Sequence, residues 1–192
     1  MVVALGSPSI QSAPAGIGSL ADNGCTCHGG YSNTTQPIIL GLPEKFESNI
    51  TYDLTLSVEE YSGQHSESAQ GGFRLLISNG SVEIQNQSRV QFLDGGWTHT
   101  ESGNQYRSWN LTWTAPSDNT TTVDFVLHGN AVNGNGNSEG DMWNSFGTVL
   151  PGAQHEGPVE QLNLTSELDD TQYGILYAGL IALLLFLYFA IK

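Results

Sequence analysis

Apolar and polar positions alternate along much of the chain. Ile50, Tyr52, Leu54, Leu56 and Val58 interleave with Thr51, Asp53, Thr55, Ser57 and Glu59, the period of two expected of a strand with one buried face. Phe73, Leu75 and Ile77 fall on one side of a second strand over 72–78. Asn79-Gly80 then precedes Val82 and Ile84, which predicts a hairpin turn. Residues 90–93 predict a further short strand. Trp109, Leu111 and Trp113 alternate with Ser108, Asn110 and Thr112 up to Pro116, and Val123, Phe125 and Leu127 complete the series. No apolar stripe of helical period and useful length accompanies them. About seven short strands over 37–150 predict an all-β fold, an immunoglobulin-like antiparallel β-sandwich occupying 36–150.

The pattern changes at the C-terminal end. Residues 173–191, YGILYAGLIALLLFLYFAI, contain no charge and no proline. As a helix this run is about 28 Å long, close to the ~30 Å hydrocarbon core of a bilayer. It predicts a C-terminal single transmembrane helix. Asp169 and Asp170 before it and Lys192 after it place the C-terminus in the cytoplasm by the positive-inside bias, and the bulk of the chain on the far side of the cell membrane. Residues 151–172 are acidic and polar with two prolines, which suits a stalk. Residues 1–15 end in Ala-Pro-Ala but lack a basic leader, as expected of a truncated signal peptide. The alternative is a tail anchor that leaves the domain in the cytosol; sequons headed by Asn33, Asn49, Asn79, Asn86, Asn110, Asn119 and Asn163 weigh against it and fit an exposed, glycosylated outer face.

Charge narrows the partners. Among 192 residues there are 19 Asp and Glu against 5 Lys and Arg, a net charge of −14. The five basic residues never cluster, which excludes nucleic-acid binding through a basic surface. Two cysteines within three residues cannot staple a whole domain, so the fold rests on its apolar core.

The ordered blocks SAPAGIGSLADNGCTCHGG, GGFRLLIS, THT, LTWTAP and FVLHGNAVNGNGNSEGD, followed by an anchor, resemble the choice-of-anchor V family. Its members are secreted prokaryotic domains related to the Reeler fold. The resemblance covers roughly residues 12–150 and implies a surface-displayed sandwich with a flexible cysteine-histidine head over 16–35. It does not imply an activity.

Three places carry candidate chemistry. Cys25, Cys27 and His28 resemble the Cys-x-x-Cys-His attachment motif of c-type haem with one residue fewer between the thiols. The same residues suit a soft metal, Cu(I) or Zn(II), and the plain alternative is a Cys25–Cys27 disulfide. A further ligand would come from His65, His99, His128, His155 or Met142, with His99 and His128 the foremost candidates. The loop 129–141 spaces Asn133, Asn135, Asn137, Glu139 and Asp141 at every second position, either a calcium loop or a glycine-permitted turn held by its own hydrogen bonds. Nucleophile elbows, H-E-x-x-H and phosphate-binding loops are missing, so an enzyme is not expected. Two functions follow: extracytoplasmic electron transfer or metal handling through Cys25, Cys27 and His28, or a non-enzymatic adhesion or envelope-interaction module binding other surface proteins.

Overall fold

The computed structural model describes residues 13–27, 29–61, 69–135, 138–164 and 170–191. His28, His65 and Asn137, together with the leader over 1–12 and Lys192, lie outside them. Ten strands and one α-helix are present among the described residues: β1 (Gly30–Tyr31), β2 (Thr35–Leu40), β3 (Thr51–Glu60), β4 (Gly71–Ile77), β5 (Ser81–Ile84), β6 (Val90–Leu93), β7 (Gly96–His99), β8 (Ser108–Thr114), β9 (Thr122–Ala131), β10 (Met142–Pro151) and α1 (Asp170–Ile191).

The strands form two sheets. One has the order β2-β3-β8-β5 and the other β1-β10-β9-β4-β7-β6. Leu54, Leu56 and Val58 of β3 and Trp109, Leu111 and Trp113 of β8 meet Phe73 and Leu75 of β4 and Val123, Phe125 and Leu127 of β9 in a single core. Burial of these side chains, worth about 1.5–3 kcal/mol each, is what holds the sheets together. Trp113 is packed edge-on by Phe46 and Phe125, and its indole N–H donates to the Asn79 carbonyl at 3.0 Å.

Two sequence expectations are corrected. Asn79-Gly80 does not close a hairpin between neighbouring strands: β4 pairs with β7 and β9, whereas β5 crosses to the other sheet and pairs with β8. The hairpin turn is instead Asp94-Gly95, between β6 and β7, where both residues have positive φ, the conformation that Asp-Gly favours. The sheets are not wholly antiparallel either, because β1 runs parallel to β10.

The segment beyond β10 is not all stalk. Ala153 donates its N–H to the Phe46 carbonyl and Gln154 to the Asn119 carbonyl, so the edge of the domain extends past 151. Of the sequon asparagines, Asn119 is buried, which removes it as an acceptor site.

The helix α1 stands apart from this core. Tyr173–Ala190 has a mean hydropathy of 2.1 and none of it is buried. It is long and apolar enough to cross a membrane.

Candidate functional site

The outer face of the six-stranded sheet has an unusual composition. β4 and β9 align Gly72 with Asn130 and Arg74 with His128, and β7 adds Thr98 beside Arg74. These positions alternate with the core residues Phe73, Leu75 and Leu127, so a solvated face would be expected. Instead Arg74, Thr98, His128 and Asn130 are all buried. What covers them is the cysteine segment, residues 13–27.

Three of these buried side chains, Arg74, His128 and Thr98, tie this roof down. The Arg74 guanidinium is fully buried and donates from Nε to Asp22 Oδ1 at 2.8 Å. Its other two nitrogens donate to the Leu93 and Asp94 carbonyls at 2.6 and 2.8 Å, which joins the β6–β7 turn to the roof. His128 Nε2 donates to the Asp22 carbonyl at 3.0 Å, leaving Nδ1 to accept from Ser145 Oγ at 2.6 Å. Burial, above all, pushes the His128 pKa below its ordinary value; the Asp22 carbonyl and carboxylate oppose this and Arg74 reinforces it. Thr98 Oγ1 accepts the Ile17 N–H. Gln91 and Asn104 donate to the Ala15 and Pro14 carbonyls.

Thus the head expected to be flexible is strapped to the sheet. Its C-terminal part is held from the other side, with Gly30 donating to the Asp141 carbonyl and Ser32 to that of Trp143. Gly24, at φ +116, lies against the Trp143 indole so closely that a Cβ there would come within 2.6 Å of the ring. Only glycine fits that approach.

Between roof and sheet lies a cleft with a cavity volume of about 200 Å³. Its roof is formed by Ile17, Leu20, Ala21, Cys25 and Cys27, and its floor by Gly72, Phe73, His99, Asn130 and Val132. No Lys or Arg lines it. At Gly72 a side chain would collide with the His99 imidazole. One polar atom is orphaned: Asn130 Oδ1 is buried and has no hydrogen-bond partner.

Both cysteines are free thiols. Cys25 is buried, and desolvation, reinforced by Cys27, pushes its pKa up to about 12. A thiol this reluctant to ionise is a poor nucleophile.

The structure brings Cys25, Cys27 and His99 to the same cleft but leaves His99 committed. Its Nδ1 accepts the Phe73 N–H at 3.2 Å, so the proton sits on Nε2, which faces the Ala13 carbonyl at 3.3 Å. His128 faces the roof at Asp22, and His155 lies on another side of the domain, with Nδ1 2.9 Å from the Thr120 carbonyl. Met142 opens β10. Among the described residues, no three His, Cys, Asp or Glu side chains gather closely enough to hold a metal ion.

The described residues do not make a c-type haem site: Cys25 is buried, His99 and His128 are engaged in structural bonds, and the cavity is nearer to the ~150 Å³ void that accepts benzene than to a tetrapyrrole site.

The asparagine loop is stitched to itself. Asn133 and Asn135 both donate through Nδ2 to the Glu139 carbonyl at 2.9 and 2.8 Å. Asn133 Oδ1 accepts the Asn135 N–H, and Asp141 Oδ1 accepts the Asn133 N–H. Asp141 is buried at the cleft's edge. Sequence reasoning missed Asp22, Arg74, Gly72 and Asn130; the one available signal was an arginine inside the otherwise apolar run GGFRLLI.

No family model matches the chain, and no curated protein matches it. Among solved structures it is similar to the Reelin-N domain of F-spondin at 19% identity, over 64% of this chain and 88% of that one, with a TM-score of 0.44. It is similar to the human F-spondin reeler domain at 19% identity, over 64% and 90%, with a TM-score of 0.42. A conjugative transposon lipoprotein from Bacteroides eggerthii aligns at 15% identity over 60% and 97%, with a TM-score of 0.38.

Proposed function

We propose that the chain is a non-enzymatic, immunoglobulin-like surface domain, anchored by α1 as a single pass with its bulk outside the cytoplasm. We further propose that the cleft beneath its cysteine segment binds a small ligand. The observation that carries the ligand reading is a roof fixed by polar ties over a largely apolar space that the described residues leave unfilled. Well-packed interiors leave few such voids, and a preformed apolar concavity with a few convergent polar groups is the usual form of a small-molecule site.

Cys27, half-buried in the cleft wall, reports on occupancy. In the reduced full chain in detergent micelles, naphthalene is expected to slow alkylation of Cys27 about threefold or more, as ligand burial excludes the reagent. The Ala21→Phe variant fills the cleft and should abolish the effect. Unchanged alkylation in the wild-type chain would refute the ligand reading. The topology is tested separately: protease added to intact cells should trim the sandwich.

A second reading keeps Cys25, Cys27 and His28 as the attachment and axial groups of haem c, or as ligands of Cu or Zn. It is favoured by the presence of both thiols, unpaired, at one cleft. Bound haem would supply one-electron chemistry to the outer surface. A Soret band with a covalent mass increment that survives denaturation, or stoichiometric metal by elemental analysis, would establish it. Two alkylatable thiols and neither signal would dismiss it. Calcium at the loop of Asn133, Asn135, Asn137, Glu139 and Asp141 would be sought by the same elemental analysis.

A further inference from the structure

Asn130 stands in β9 opposite Gly72 of β4 and Trp143 of β10. Register therefore puts its side chain on the roofed face, two residues from His128 and beside a glycine that offers no partner. The Asn130 side chain is buried, it lines the cleft, and its Oδ1 accepts nothing. A buried acceptor left unpaired is destabilising, by an amount comparable to losing a hydrogen bond.

The neighbouring donors are already spent. Arg74 donates to Asp22, Leu93 and Asp94, His99 Nε2 faces Ala13, Gln91 donates to Ala15, and Asn104 to Pro14. None of these groups pairs with Asn130 Oδ1 among the described residues, which leaves that acceptor open to a donor carried by a ligand. Apart from the two cysteines, Thr26 and the carboxylate-bearing Asp141, the remaining lining is apolar, and no cationic side chain is part of it. Nothing in it would offset the charge of an anion, whose burial unpaired is prohibitive.

Building on the ligand reading above, we infer that this cleft selects a neutral, one- or two-ring apolar molecule that carries an O–H or N–H group and donates it to Asn130 Oδ1. The size follows from the ~200 Å³ cavity, and the neutrality from its lining. The single oriented acceptor supplies specificity, since a site built to receive a donor discriminates against analogues that lack one.

Three probes of matched shape separate the possibilities at neutral pH: 2-naphthol, 2-methoxynaphthalene and 2-naphthoate, each read by protection of Cys27 from alkylation in the full chain. Micellar partition of each probe is common to wild type and variants. We expect 2-naphthol to protect at about tenfold lower concentration than 2-methoxynaphthalene, and 2-naphthoate not to protect. Asn130→Leu, which keeps the volume and removes the acceptor, should shrink the preference to about twofold or less. Equal protection by naphthol and its methyl ether in the wild-type chain would overturn the inference, as would a preference that survives in Asn130→Leu. With each probe's protection plotted against its measured free aqueous concentration, the wild-type comparison decides even if the variant does not fold. Failure of naphthalene itself to protect would instead count against the cleft as a ligand site.

Discussion

The two sheets of this domain meet the same core from opposite sides yet differ on their outer faces. In the four-stranded sheet the outward positions of β3 and β8 carry Thr51, Asp53, Thr55, Asn110 and Thr112, which are exposed or half-buried. Their contacts are modest cross-strand bonds such as Thr51–Thr114 and Thr55–Asn110. In the six-stranded sheet the equivalent positions hold Arg74, His128 and Asn130, all sealed beneath the roof. A polar residue facing water costs little to change, whereas one buried with its partners leaves those partners stranded when it is removed. The same residue class thus serves solubility on one face and architecture on the other.

The sharpest way to break the contrast is Arg74→Leu. It strands the Asp22 carboxylate and the Leu93 and Asp94 carbonyls, and urea unfolding of the full chain in micelles should show a loss of about 3–5 kcal/mol. Gly72→Ala should come next, at about 1–3 kcal/mol, because the new methyl group is driven into the His99 ring.

A smaller, pH-dependent effect belongs to His128. Its pKa is lowered in the folded state, so below the ordinary value near 6.5 the unfolded chain takes up a proton that the folded chain refuses. Its contribution is complete above about pH 6.5 and is lost as the pH falls from there towards the depressed folded value. Stability measured at about pH 7.5 and about pH 5.5 should therefore differ more in the wild type than in His128→Gln. Smallest of all, Thr112→Ser on the open sheet should alter stability by no more than about 0.5 kcal/mol.

The same contrast explains what the sequence could disclose. β3 and β8 were legible because one face is core and the other is water, so alternation in the chain mirrors alternation in space. β10 was not foreseen: its run MWNSFGTVLP has few strongly apolar positions, and most of it is only half-buried. β7 has four residues, too few to show a period. The hairpin assigned to Asn79-Gly80 failed because turn chemistry specifies a reversal and not which sheet the next strand joins.

At the cleft, Cys25, Cys27 and His99 stood out as chemically distinctive, and the structure does place them together. The ties that create the cleft are long-range. Asp22 and Arg74 are 52 residues apart, and Asp22 and His128 are 106 apart. Nothing local marks them as partners. The role of Asn130 depends on an absent contact, which no pattern of neighbours in sequence encodes.

The parallel pairing of β1 with β10 and the bonds from Asp22 to His128 join the start of the domain to its last strands. A chain made from its N-terminus must therefore wait for β9 and β10 before the roof can close, since contacts of such separation form only once both partners exist. Until then Cys25 and Cys27 remain open to whatever enzyme oxidises or modifies thiols along the route. Completion of β10 ends that interval for Cys25, which the closed roof buries, whereas Cys27 stays half-exposed, so the two neighbouring sulfurs part company in reactivity once the domain is complete.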